Sequence, residues 1–266
     1  MALCDFRPHA EIHQLLKSHE ELVELLGAEI IEGVKAKDVE GLKACYGKLM
    51  KSDDASIRKC IETLEKKFVN DNSKLAKVFN QLQKDFPNDV GSLSLFFLNL
   101  IELNPGESIF LAANVPHAYL SGDCIECMSC SDNVVRAGLT PKFKDVANLL
   151  SMLTYEGAAA SDKLFKPTIL DENHKFTWLF KPPVEDFAVT KVEVPSNVTD
   201  YEIVNSKFGS IILVISGEAT MTASGMETLH LKRGKIFFVP SKVGPALDLK
   251  GVKNNFICYQ AMFNNF

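Results

Sequence analysis

His117, Glu126, Asp132 and Arg136 stand in one short stretch of the chain, with Lys142 just beyond it. An imidazole can ligate a metal or move a proton, a carboxylate can do either, and a guanidinium grips anions through a planar fork. One imidazole, two acids and two cations suit a site that handles a metal and an anionic substrate. His117 lies in Pro116-His-Ala-Tyr119. Residues two apart on a strand share a face, so Tyr119 would line the same pocket.

Other candidates carry less. Cys124, Cys127 and Cys130 resemble part of an iron–sulfur run, but no further cysteine follows at suitable spacing. On a strand, residues three apart point to opposite faces, which argues against one metal for all three. His9, His13 and His19 fall in sequence of helical period, where the last two are poorly spaced for one face. His174 and His230 are the downstream imidazoles, and each stands alone.

The elements that must position these residues follow from periodicity. Leu103 closes an apolar run, Asn104-Pro105-Gly106 makes a turn, and Ile109, Phe110 and Leu111 resume the run as a second strand. Residues 10–88 read as four helices. Ile12, Leu16, Val23, Leu26 and Ile30 mark the first, which Gly27 bends or ends. Leu42, Cys45, Tyr46 and Leu49 mark the second; Ile57, Cys60, Ile61, Leu64 and Phe68 the third, with Ser52, Asp53 or Asp54 as its cap. Leu75, Val78, Phe79, Leu82 and Phe86 mark the fourth, stopped by Pro87. From about Leu93 the period changes to strands. Residues 139–155 read as a helix opened by Thr140-Pro141, and 157–161 as a small-residue linker. Residues 166–266 read as short strands and turns, the pattern of a β-sandwich or small barrel. Ser216-Gly217 and Ser224-Gly225 are expected turns.

Composition bounds the partners. The chain has 266 residues, 46% hydrophobic content and a formal net charge of -5, with no dense Lys/Arg cluster, which disfavours nucleic acid. No apolar run reaches the roughly 20 residues a membrane helix needs. The stretch 93–103 is the most apolar, but Asn99 and Glu102 interrupt it. The first residues show no basic segment followed by an apolar one, so no secretory signal is expected. Seven scattered cysteines fit free thiols in a reducing compartment.

Leu103-Asn-Pro-Gly106-Glu-Ser-Ile-Phe110 matches Leu231-Lys-Arg-Gly234-Lys-Ile-Phe-Phe238. The position of His117 in the first copy falls on Pro245 in the second. Two related jelly rolls are expected, with the chemistry in the first.

The motifs Pro116-His-Ala-Tyr119, Ile125-Glu-Cys-Met128 and Ser131-Asp-Asn-Val-Val-Arg-Ala-Gly-Leu-Thr-Pro-Lys142 resemble those of type I mannose-6-phosphate isomerase. Leu3-Cys-Asp-Phe-Arg7 resembles the segment leading into that family's helical insertion. The resemblance covers nearly the whole chain. It implies a mainly β cupin, or jelly-roll, fold with a helical module. The helical module would span 1–92, the second half of a catalytic cupin roll with a following helix 93–160, and a C-terminal jelly roll 161–266. It also implies a cytosolic zinc enzyme that interconverts mannose 6-phosphate and fructose 6-phosphate, towards GDP-mannose synthesis. His117 falls at a zinc ligand and Arg136 at the active-site arginine. Lys142 would add positive potential for phosphate. Glu126 is the first candidate for the proton-transferring carboxylate and Asp132 the second; either could instead pair with Arg136 or Lys142. The family's Gln-x-His strand and ligand Glu precede the helical module. Here that module begins close to Met1, so the chain resembles an N-terminally shortened member with one of the expected zinc ligands. The expectation is a chain inactive alone and holding little zinc. A non-catalytic sugar-phosphate-binding or partner-binding protein is the alternative.

Overall fold

Every residue of the opening strand, β1 (Ala2–Phe6), is buried, because it is the middle strand of a three-stranded antiparallel sheet. Its neighbours are β2 (Leu98–Ile101) and β4 (His117–Tyr119). The computed structural model describes residues 1–34, 39–131, 134–225, 227–244 and 246–266. The chain divides into two compact units. The first comprises residues 1–104, 109–123 and 132–164, the second 105–108, 124–131 and 165–266.

In the first unit, Leu3, Leu100 and Ala118 turn towards a core filled by six helices. These are α1 (His9–Lys17), α2 (Glu20–Leu26), α3 (Ala28–Val34), α4 (Val39–Met50), α5 (Asp54–Phe68) and α6 (Lys74–Asp85). The expected first helix is thus three. Ser18 and His19 interrupt it while leaving the apolar period intact, and Gly27, at φ 91, ends α2. Asp53 and Ser73 cap α5 and α6, accepting from the backbone N–H of Ser56 and Ala76. Gly41 lets α3 and α4 meet backbone to backbone, since a Cβ there would lie 2.3 Å from the Gly33 carbonyl oxygen. Phe6 packs edge-on to Tyr46 at 5.0 Å and stacks on Tyr155 at 5.3 Å. Burying a side chain of this size contributes about 1.5–3 kcal/mol.

Three expectations change here. Residues Val90–Phe96 form a buried 3-10 turn, and the strand begins only at Leu98. The helix expected from Thr140 is shorter, α7 (Val146–Met152), because Leu139 takes a left-handed φ of 52 and the cap is Asp145. The small residues after Tyr155 are packed in place: the Ala158 N–H donates to the Phe6 carbonyl at 2.9 Å, and a Cβ on Gly157 would lie 2.6 Å from the Arg7 carbonyl oxygen. The short strands β3 (Ser108–Ile109) and β5 (Leu164–Phe165) form a two-stranded sheet.

The second unit is a jelly roll built on two long strands, β10 (Ser210–Thr222) and β13 (Ala246–Met262), paired antiparallel. The sheet also contains β6 (Thr168–Ile169), β7 (Thr177–Phe180), β8 (Ala188–Val194), β9 (Tyr201–Val204), β11 (Leu229–Lys232) and β12 (Ile236–Val239). The first part of β10 pairs with β12 and the last part with β11; β13 likewise pairs first with β9 and then with β8. Each long strand therefore bends from one layer to the other. The bends fall at bulges around Gly217, and at Asn254 and Asn255 in left-handed φ. Ser216-Gly217 is consequently a bulge inside one strand, not the expected turn. Inward residues such as Ile212, Val214, Leu231, Leu249, Phe256 and Cys258 fill the roll.

Candidate active site

His117 and Tyr119 stand on the exposed face of edge strand β4, opposite Cys4 and Ala2 of β1. The alternation of β4 turns Ala118 to the core and leaves both aromatic side chains outward. Their rings lie 5.9 Å apart. His117 Nδ1 lies 3.0 Å from the Val115 carbonyl oxygen. A carbonyl only accepts, so Nδ1 carries a proton here, which leaves Nε2 as the nitrogen that can offer a lone pair to a metal or a proton donor. On the neighbouring strand, burial pushes the Cys4 thiol up to about 11, which keeps it protonated and inert near neutrality.

Arg136 and Lys142 share one loop of the same unit. The Asp145 N–H donates to the Arg136 carbonyl at 2.7 Å, closing the loop at the foot of α7. The Lys142 N–H donates to Thr140 Oγ1 at 3.2 Å, and the lysine is exposed. The half-buried Arg136 guanidinium touches the Val134 carbonyl at 3.3 Å. Its remaining donors are sufficient for a bidentate anion contact.

The other sequence candidates fall elsewhere. Glu126 is exposed and belongs to the second unit. Asp132 and Pro245 lie outside the described residues. Cys124 and Cys130 are exposed free thiols and Cys127 is half-buried, its thiol pushed up by that burial. His230 is exposed, whereas His174 is held by Asp171 at 2.8 Å and faces Glu202 at 3.5 Å. Among the described residues, no three His, Cys, Asp or Glu side chains gather as a metal-binding group. A catalytic zinc takes three protein ligands and an open position. The described residues supply the His117 imidazole and do not by themselves fit that ion.

A concavity of about 200 Å³ in the first unit is lined by Asp5, Val115, Thr154, Glu156 and Lys163, among others. Lys163 forms an ion pair with Asp5. Sequence reasoning did not single out Asp5, Glu156 or Lys163. The ion-pair partners lie far apart in the chain, and the left-handed φ of Asp5 leaves no mark on the residue pattern.

The fold and these side chains define a cupin protein with a helical insertion. Residues 17–98 match the family model for the type I phosphomannose isomerase helical insertion domain, and residues 177–257 that for the mannose-6-phosphate isomerase cupin domain. Rat mannose-6-phosphate isomerase is 40% identical over 95% of this chain and 63% of its own length. The probable mannose-6-phosphate isomerase of Echinococcus multilocularis is 37% identical over 97% of this chain and 67% of its own length. A crystal structure of the Salmonella typhimurium mannose 6-phosphate isomerase, bound to fructose 6-phosphate and zinc, superposes with a TM-score of 0.80 at 26% identity, covering 98% of this chain and 63% of that one. The chain belongs to the type I mannose-6-phosphate isomerase family. It spans about 63% of the length of the rat and human relatives. Among the described residues, no helix is long and apolar enough to cross a membrane.

Proposed function

We propose that this chain carries the imidazole and anion-binding part of a mannose-6-phosphate isomerase site. In this reading Arg136 and Lys142 bind the phosphate of a hexose 6-phosphate. The observation that supports it is their place on one closed loop, in the same compact unit as the outward His117 and Tyr119. The reaction interconverts mannose 6-phosphate and fructose 6-phosphate, moving a proton between C1 and C2 through an enediolate. Arg136 would grip phosphate or balance enediolate charge, and Tyr119 would line the sugar pocket. Glu126 is the first candidate for the proton carrier and Asp132 the second; a carboxylate in that role works best with a pKa raised towards neutrality. The same reading implies action in the cytosol, towards GDP-mannose synthesis.

Zinc is the ion of this reading, and His117 Nε2 would supply one of its ligands. With one such ligand among the residues described, the chain by itself is expected to retain little zinc and to show no isomerase turnover. Metal analysis after dialysis against zinc, with a coupled isomerase assay, tests this. The expected result is far less than one zinc per chain and no turnover. Stoichiometric zinc, with turnover lost on His117→Ala, would overturn it.

A further inference from the structure

We propose that Asp89 is a positioning residue for the anion-binding loop, setting where Arg136 and Lys142 stand. This rests on the reading of that loop given above. The Asp89 side chain is 10% exposed and meets donors at both oxygens. Oδ1 accepts from the Gly91 N–H at 2.7 Å and from the Leu139 N–H at 2.9 Å. Oδ2 accepts from Lys144 Nζ at 2.5 Å. Leu139 follows Arg136 by three residues and precedes Lys142 by three, so the carboxylate grips the loop midway between its two cations. Hydrogen bonds to an ionised acceptor are shorter and stronger than neutral ones, which suits a hold on a single amide.

Leu139 needs that hold. Its φ of 52 is a left-handed conformation that a leucine adopts only when its surroundings enforce it. Close packing enforces it from the other side. A Cβ on Gly138 would lie 2.7 Å from the Gly91 Cα and 3.0 Å from Asp89 Oδ1, so the two backbones touch where both residues are glycine. Asp89 is itself fixed. Its carbonyl accepts from the Ser92 N–H at 3.1 Å and the Ser92 hydroxyl at 2.8 Å, and Gln83 Nε2 donates to that hydroxyl at 2.6 Å. The Asn88 N–H closes the chain on Gln83 Oε1 at 3.0 Å. A continuous set of hydrogen bonds thus runs from α6 of the helical module to the loop that carries the cations.

The test uses the full chain with Asp89→Ala, Asp89→Asn and Arg136→Ala, singly and combined. Amide exchange is measured first. Asp89→Ala should speed exchange of the Leu139 N–H at least ~10-fold while α4 and α5 are unmoved, and Asp89→Asn, which keeps an acceptor oxygen, should restore most of the protection. Unchanged exchange at Leu139 overturns the proposal whether or not any ligand binds. Titration with fructose 6-phosphate is the second arm. Asp89→Ala should weaken binding about 10-fold in the parent chain and less than about 3-fold when Arg136 is already alanine, because residues acting through one another are not additive. Equal losses in both backgrounds overturn the positioning role. A parent chain that binds no fructose 6-phosphate refutes the phosphate-binding reading instead, and the exchange arm still decides whether Asp89 holds the loop.

Discussion

Replacing Asn99 by alanine should destabilise the first unit by about 2–4 kcal/mol. Asn99 is 2% exposed, on β2 beside the β1 bulge at Asp5. Its Nδ2 lies 3.0 Å from the Ala158 carbonyl oxygen and 3.1 Å from that of Phe6, with the Cys4 and Asp5 carbonyls at 3.3 Å. An amide nitrogen carries two hydrogens, so the two shorter contacts take the better share. Each hydrogen bond lost contributes about 0.5–1.5 kcal/mol net, and a buried acceptor left without a donor costs about 1–3 kcal/mol. The Phe6 carbonyl keeps the Ala158 N–H at 2.9 Å, so it retains a donor and holds the total near the lower sums. For a unit of this size the loss corresponds to a melting shift of roughly 4–16 °C. Asn99→Asp should be worse than Asn99→Ala, because it aims carboxylate oxygens at carbonyls. Denaturant unfolding followed by circular dichroism, with exchange of the Ala158 amide, measures both. An Asn99→Ala chain within 0.5 kcal/mol of the parent, with Ala158 still protected, would refute the reasoning.

Gly41→Ala sets two effects against each other. Helix propensity alone favours alanine by about 0.5–1 kcal/mol. The 2.3 Å approach to the Gly33 carbonyl forces a backbone shift costing about 1–3 kcal/mol, so a net loss is expected in a urea melt, and a stabilised variant contradicts the close approach. Burial pushes the Cys4 thiol up to about 11 and the Cys45, Cys60 and Cys258 thiols to about 12. A folded pKa above the unfolded value near 9 gives stability that is present below pH ~9 and lost as pH rises towards 11–12. At pH 8 a disulfide reagent should therefore modify Cys124 and Cys130 quickly and these four only on unfolding; rapid reaction at Cys258 would contradict the buried roll. The Asp171 carboxyl is held low by its hydrogen bond to His174. Its contribution is present above the unfolded carboxylate value of ~3.9 and lost as pH falls below it. Protection of the His174 amide, its exchange relative to the intrinsic rate at each pH, should fall in acid, because the Asp171 carboxylate accepts from that N–H at 3.0 Å, and Asp171→Ala should abolish that pH dependence.

The parts of the fold legible in sequence are those where period and burial coincide. Leu42, Cys45, Tyr46 and Leu49 repeat at helical spacing and do face the core of α4. Ser18 and His19 break a helix without disturbing the repeat around them, so the break is invisible in the pattern. β13 is not legible as one strand, because its alternation is interrupted at Lys253, Asn254 and Asn255, where the strand bends between layers. The chemistry of the site was legible as residue types, since His117, Arg136 and Lys142 stand in one short stretch. Its support was not. Asn99 reads as a polar interruption of an apolar run, whereas its buried amide nitrogen ties the Phe6 and Ala158 carbonyls together. Asp89 reaches its loop across 50 residues of sequence, and no local spacing encodes that contact.

Fructose 6-phosphate titrated into the parent chain and into Arg136→Ala is the most direct measurement. A bidentate, charge-assisted contact contributes about 1.5–3 kcal/mol, or roughly 10- to 150-fold in affinity. The parent chain should bind fructose 6-phosphate and not fructose, and Arg136→Ala should lose that factor with its helical signal intact. Equal affinity in both chains, or equal affinity for fructose and its 6-phosphate, would contradict the assignment of the 136–142 loop to phosphate.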